Sequence, residues 1–320
     1  MAYQTGTATS VAILLEKLKE FAETQGWTIN KYTATQLYLN NTDGYWALEF
    51  KDKLLFTIAC TGFDNHRDAF NQPGSSANPQ SAFREVKTAT SHLENGNFVS
   101  YDFFGTNQYL HVVVQIEAER FRHFGIGTLH KEGVYTGGQY AFGTYMDKGY
   151  EQYNHYNHNF GFSSGNERFL PVLRADGLAD ETKIPWYFCP SDQWVESIKE
   201  KDFGKALLTL GRATMYGTGR TSHPDLDLVK WSQSKFGQML IPCPHSLIAH
   251  CKDGVLRRLG ILQDRYECTM NGIAPRQILT MLGERWMIVP SARYDHRIKH
   301  ELENGLDNSG VQGVAYRIVE

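Results

Sequence analysis

Apolar residues recur at helical spacing most clearly at the start of the chain. Val11, Leu14, Leu15, Leu18, Phe21 and Ala22 follow Ser10, a residue that can cap, and precede Gly26, which can end the run. Glu16, Lys17, Lys19, Glu20 and Glu23 occupy the other face, so residues 1–26 are predicted to hold an amphipathic helix. After Trp27 the pattern changes to short extended runs, Gln36–Leu39, Trp46–Phe50 and Leu54–Cys60, separated by turn residues. These read as antiparallel strands. Residues 61–90, with Asn71-Gln72-Pro73-Gly74, read as a long polar surface loop.

Strands resume at Phe98–Phe104 and Tyr109–Ile116, the second with the β-branched density of a central strand. The passage Phe121-Arg122-His123-Phe124-Gly125-Ile126-Gly127-Thr128-Leu129 then leads into Gly133, Gly137, Gly138 and Gly143, interleaved with Tyr135, Tyr140, Phe142 and Tyr145. Glycines at this density let backbones approach closely, while the aromatics supply the buried area that glycine lacks. Residues 150–164, rich in Tyr, Asn, His, Phe and Gly, read as a contact loop with aromatic anchors. Residues 165–238 read as an irregular connection, with short helical stretches predicted at 192–200 and 202–210. A last β region, 239–320, includes a predicted hairpin of Ile278-Leu279-Thr280 and Trp286-Met287-Ile288-Val289 turned by Leu282-Gly283-Glu284. The expected fold is therefore mainly β (α+β): antiparallel sheets or a sandwich-like body with an N-terminal amphipathic helix. Its parts are residues 1–26, 27–164, 165–238 and 239–320, the last β region either packing with the first as one body or forming a separate one.

Composition sharpens this in one respect. The 320 residues are 41% apolar and 21% charged, as a globular chain should be, but 18 Phe, 17 Tyr and 6 Trp accompany 29 Gly, a mixture that suits strands and tight turns. The net charge of −3 gives no basic field for nucleic acid or anionic lipid. No run is long and apolar enough to cross a membrane as a helix, and Met1–Ser10 lacks the features of a signal peptide, so neither membrane insertion nor secretion is expected. Five cysteines, Cys60, Cys189, Cys243, Cys251 and Cys268, are sparse and odd in number, which fits reduced thiols.

Candidate chemistry is thin. His155 and His158 form an H-x-x-H pair that could share a metal, but two ligands without helical periodicity fit an exposed polar loop better. Cys243, His245, His250 and Cys251 crowd into nine residues, yet strand alternation sends His245 and His250 to opposite faces, and buried strand cysteines are the better reading. Asp225 and Asp227 are the carboxylates a cell-wall-degrading hydrolase would need, though a D-x-D in a loop is usually just solvated. No nucleophile elbow, H-E-x-x-H, P-loop or dinucleotide fingerprint occurs. The expectation is a protein without catalytic residues, metal or cofactor.

Several segments resemble a family. Thr5-Gly6-Thr7-Ala8-Thr9 followed by Leu14-Leu15, Phe21 and Gly26-Trp27, the strand Tyr109–Ile116, the run Phe121–Lys131 leading into Tyr135-Thr136-Gly137-Gly138-Gln139-Tyr140, and the ending Gly313-Val314-Ala315-Tyr316-Arg317 are similar to virion proteins encoded among the tail and neck genes of tailed bacteriophages. The resemblance implies a structural component of the neck, collar or tail, with a baseplate or fibre-attachment protein as the alternative. It further implies a ring or symmetric oligomer, partnered by itself and by other neck and tail proteins, assembled in the host bacterial cytoplasm and held in the virion. An aromatic, glycine-rich surface offers rigid contact area at little entropic cost, so Phe121, Phe124, Tyr135, Tyr140, Phe142, Tyr145, Tyr153 and Tyr156 are the expected assembly contacts.

Overall fold

The computed structural model describes residues 2–75, 89–93, 96–118, 120–132, 136–146, 156–158, 172–176, 186–188, 207–210, 243–250, 256–270, 272–281, 283–290 and 312–319. In chain order, β1 (Ala2–Ala8) and the helix α1 (Val11–Thr24) are followed by β2 (Thr28–Tyr32), β3 (Gln36–Asn40), β4 (Tyr45–Lys51), β5 (Leu54–Cys60) and β6 (Ala89–His92). Next come β7 (Phe98–Gly105), β8 (Tyr109–Glu117), β9 (Arg120–Thr128), β10 (His130–Lys131), β11 (Thr136–Met146), β12 (Tyr156–His158), β13 (Val172–Asp176), β14 (Trp186–Phe188) and β15 (Leu207–Leu210). The last are β16 (Cys243–His250), β17 (Leu256–Thr269), β18 (Gln277–Met281), β19 (Glu284–Pro290) and β20 (Gln312–Ile318). The chain is mainly antiparallel β with one α-helix among the described residues.

Three sheets result. The first runs β1-β7-β8-β9-β11-β13-β14 with β12 added on β11, the second β2-β3-β4-β5-β6, and the third β15-β16-β17-β20-β19-β18 with β10 added on β17. The first sheet lies between the other two. Its odd positions on β7 and even positions on β8 and β9, Tyr101, Phe103, Leu110, Val112, Val114, Phe124 and Ile126, join α1 and the second sheet in one core. Its opposite face, through Phe104, Val113 and Phe121, packs on Met287, Val289, Val314, Tyr316 and Ile318 of the third sheet. Covered on both sides, β8 is buried without alternation from Tyr109 to Val114, which is why its sequence is nearly continuous in apolar residues.

Helix α1 is capped as its sequence requires: the Ser10 hydroxyl accepts from the Ile13 amide at 3.2 Å, and Gly26 turns the chain at φ +83°. Two tryptophans fasten this layer to the middle sheet. Trp27 Nε1 donates to the Thr106 carbonyl at 2.7 Å, Trp46 Nε1 to the Tyr140 carbonyl at 2.9 Å, and the two rings pack 5.2 Å apart.

Some expectations need correction. The first residues do not join the helix, because Ala2–Ala8 pairs along β7 as an edge strand. Residues 165–238 contain β13, β14 and β15, and the helical stretch at 202–210 ends in β15, whose pairing with β16 overrides local helix propensity; the stretch 192–200 lies outside the described residues. Residues 61–75 are more than a surface loop. They fold over the outer face of the second sheet, placing Phe63 and Phe70 against Tyr38, Ile58 and Ala69. Buried Gln72 organises them: its amide donates to the carbonyls of Asp64, Arg67 and Asp68 at 3.0–3.1 Å and its oxygen accepts from the Asp64 amide at 2.8 Å. The hairpin β18–β19 forms as expected, closing on Met281 and Glu284.

The glycines of β9 are built into the packing. Gly125 lies between His111 of β8 and Phe142 of β11, and Gly127 between Tyr109 and Tyr140. A Cβ at Gly125 would stand 2.5 Å from the Phe142 ring and 2.9 Å from the His111 ring. Neither ring has room to retreat, so Gly125→Ala should lower stability by about 1–3 kcal/mol in urea unfolding. By contrast a Cβ at Gly26 meets nothing within 4 Å, and Gly26→Ala should cost only the left-handed backbone penalty of about 1–2 kcal/mol.

Candidate functional site

Four buried ionisable side chains among the described residues, Asp102, His111, His123 and Arg265, converge on the seam between the middle and third sheets. Strand alternation sends Tyr109 and His111 of β8, His123 of β9, Tyr140 and Phe142 of β11 and Asp102 of β7 to this face. The third sheet supplies Asp264 and Arg265 of β17, Tyr316 and Arg317 of β20, and Arg276 just before β18. Asp264 adopts φ +53°, a conformation Asp tolerates better than most residues. It lies where β17 passes from pairing with β10 at Ile261 to pairing with β20 at Arg265, and this irregularity sets Asp264 and Arg265 both to work in the seam.

One chain of hydrogen bonds has a defined direction. His123 Nε2 lies 2.8 Å from the Pro290 carbonyl, which can only accept, so Nε2 carries the proton. Nδ1 is then the acceptor for the Tyr316 hydroxyl at 2.8 Å, and that hydroxyl in turn accepts from Arg265 Nε at 3.4 Å. Arg265 is itself buried, its guanidinium 4.9 Å from the Phe142 ring centre and 5.8 Å from that of Tyr316. Aromatic faces thus solvate part of a charge removed from water.

His111 neighbours this chain. Its Nε2 is 2.7 Å from the Tyr140 hydroxyl, while Nδ1 is buried without a hydrogen-bond partner. The tautomer that leaves a lone pair rather than an N–H unsatisfied has Nε2 donating to Tyr140. Burial and the Arg265 charge hold both histidines neutral: the pKa of His111 falls well below its ordinary value and that of His123 falls to about 3. Burial likewise pushes Tyr109, Tyr140 and Tyr316 upward, so all three stay protonated.

Two carboxylates complete the seam. Asp264 accepts from the Tyr109 hydroxyl at 2.6 Å and from Arg317 Nη1 at 3.2 Å, and Arg317 also reaches Glu284 at 2.7 Å. Buried Asp102 accepts from the Tyr3 hydroxyl at 2.9 Å and from Arg276 Nε and Nη2 at 2.9 and 2.8 Å. Arg276 also bonds the Thr5 hydroxyl at 3.0 Å, so one guanidinium ties β1 and β7 to the third sheet. Chemically, the arrangement fixes protons rather than moving them, and it welds chain segments more than 150 residues apart.

The expected contact residues are placed differently. Phe121, Phe124, Tyr140 and Phe142 are buried inside the protein, Phe124 toward α1 and the other three toward the third sheet, where glycine-spaced rings fill a core instead of coating a surface. Tyr145 and Tyr156 lie on β11 and β12, which pair with each other, while Tyr135 and Tyr153 lie outside the described residues. His158 is on β12 and His155 lies outside the described residues, as do Asp225, Asp227 and Cys251. Cys243, His245 and His250 fall on β16, whose pairing with β17 is irregular at two places. The seam was signalled in the sequence by His111 alone among β-branched residues and by Arg122-His123 within an apolar run. No protein-family model matches the chain, and no curated protein is significantly similar to it.

Two outcomes follow from this geometry. The unfolded chain protonates its histidines near the ordinary value of about 6.5, whereas folded His123 does so only near 3, so the unfolded state binds more protons between these values. Stability is therefore full above pH 6.5 and declines as pH falls, by up to about 1.4 kcal/mol per pH unit for each of the two histidines. Urea midpoints between pH 7 and 5 should show this slope, and His123→Asn should reduce it. Separately, Arg276→Ala strands the Asp102 carboxylate in the seam and should destabilise the protein by about 3 kcal/mol, with Arg276→Lys recovering part of the loss in the same assay.

Proposed function

We propose that the protein is an assembly subunit, a stiff β block that works through its surfaces. Within that class, the reading is a structural component of a tailed-phage virion, in the neck, collar or tail. It would form a ring or another symmetric oligomer and contact other neck and tail proteins.

The observation that supports this most is the use of the ionisable residues. Arg276 to Asp102, Tyr109 to Asp264 and Tyr316 to His123 bond the third sheet to the middle one, while Arg265, Arg317 and His111 hold these groups from within their own sheets, a use of charge that favours rigidity. A subunit that transmits force between neighbours needs such rigidity, since an interface keeps its register only when the body behind it does not shear. The segments that resemble phage virion proteins, Tyr109–Ile116 and Phe121–Lys131, supply the central strands β8 and β9, consistent with a shared scaffold.

The test is the particle. In purified virions of the phage encoding the chain, quantitative mass spectrometry should find it in a fixed copy number, and gold-labelled antibody should mark the neck or tail tube. Label at the distal end of the tail would favour the baseplate alternative. Absence from particles made in normal yield would overturn the assembly reading.

A further inference from the structure

Among the described residues the three strand orders end in β1 and β14, β2 and β6, and β15 and β18, with the short β10 and β12 lying off them. Side chains are described for β1, β2 and β18, and these three edges differ in how far they resist pairing with another chain. Strand β2 carries Lys31 and an irregularity between Ile29 and Lys31, two devices that blunt an edge. Strand β1 is irregular between Gly6 and Ala8, and its Thr5 hydroxyl is already held by Arg276. Strand β18, Gln277-Ile278-Leu279-Thr280-Met281, has no charge, no proline and an unbroken register against β19. Gln277, Ile278 and Thr280 are exposed, Ile278 by 41%. Every second residue of such a strand turns its N–H and C=O away from β19.

We infer that β18 is a docking edge for the β18 strand of a second copy, paired antiparallel across a two-fold axis. This deepens the assembly reading and rests on it. The strand is complementary to itself: centred on Leu279, the pairing sets Ile278 opposite the partner's Thr280 and Gln277 opposite the partner's Met281, with no like charges facing. The charge that immediately precedes the strand is directed inward, and Glu284 and Arg285 stand behind the strand on β19. Arg276, at φ +63°, is committed to Asp102 and Thr5, so it does not repel the approaching copy, and it anchors the start of β18 in the pairing geometry. The edge is thus ordered before it pairs, which lowers the entropic cost of docking. Five residues per copy fall well short of the ~1,200–2,000 Å² of a stable interface, so pairing in free solution is weak and gains strength from other contacts in the assembly.

Sedimentation velocity from micromolar to millimolar concentration reads the proposal. The wild-type chain should show a concentration-dependent dimer. Ile278→Lys with Thr280→Lys brings lysines opposite each other and should weaken the dimer about tenfold or more, with far-UV circular dichroism and the thermal midpoint checking that the fold survives. Mixing that variant with Ile278→Glu/Thr280→Glu should restore dimers. A wild-type chain that stays monomeric to millimolar concentration, or a dimer unaffected by the lysines, overturns the docking edge while leaving the assembly reading in place. Absence of the chain from virions overturns the assembly reading, whatever the sedimentation result.

Discussion

A sheet covered on both faces has no solvent toward which its polar side chains can turn, and this constraint governs the middle sheet. Each hydroxyl, imidazole or charge on its inner face must find a partner in the third sheet or beside it in its own, or be left desolvated at a cost of roughly 1–3 kcal/mol. The chain Arg265 to Tyr316 to His123 to the Pro290 carbonyl meets the demand with donors and acceptors in strict sequence. Its direction also selects protonation states. A protonated His123 would have no lone pair for Tyr316 and would stand near buried Arg265, so the seam is sound only while the imidazole is neutral.

The same constraint explains the glycines. Between β8 and β11 the rings of Tyr109, His111, Tyr140 and Phe142 need space above the sheet, and β9 provides it by having no side chain at Gly125 and Gly127. Aromatic density and glycine density are therefore one feature: flanking rings cover the gaps that the glycines leave. The glycine and aromatic spacing suggests a contact surface, but the described part of this motif builds the inside of the protein.

Most local elements were legible in the sequence because their periods were undisturbed. Helix α1 with its Ser10 cap, strands β3, β4, β5, β7 and β8, and the hairpin β18–β19 all carry patterns set by neighbours close in the chain. Strand β1 was not, because Ala2–Ala8 is extended only through pairing with β7, about 95 residues away. The seam was legible even less. Nothing in the segments around Asp102 and Arg276 announces that they meet, since the contact is made by topology across 174 residues. A histidine alone in an apolar strand signals a buried polar group without naming its partner.

That topology gives the end of the chain unusual weight. Strand β20 is the last of the described elements, yet it sits inside the third sheet between β17 and β19, and its Tyr316 supplies the central hydroxyl of the seam. Before residues 312–318 are in position, β17 and β19 have no strand to join them, Arg265 and His123 lack their common partner, and the β18–β19 hairpin has no sheet behind it. The long separations between partners make this closure entropically costly and therefore late relative to local hairpins. Under the proposed docking role such an order is useful: β18 becomes a rigid strand edge only once β20 is inserted.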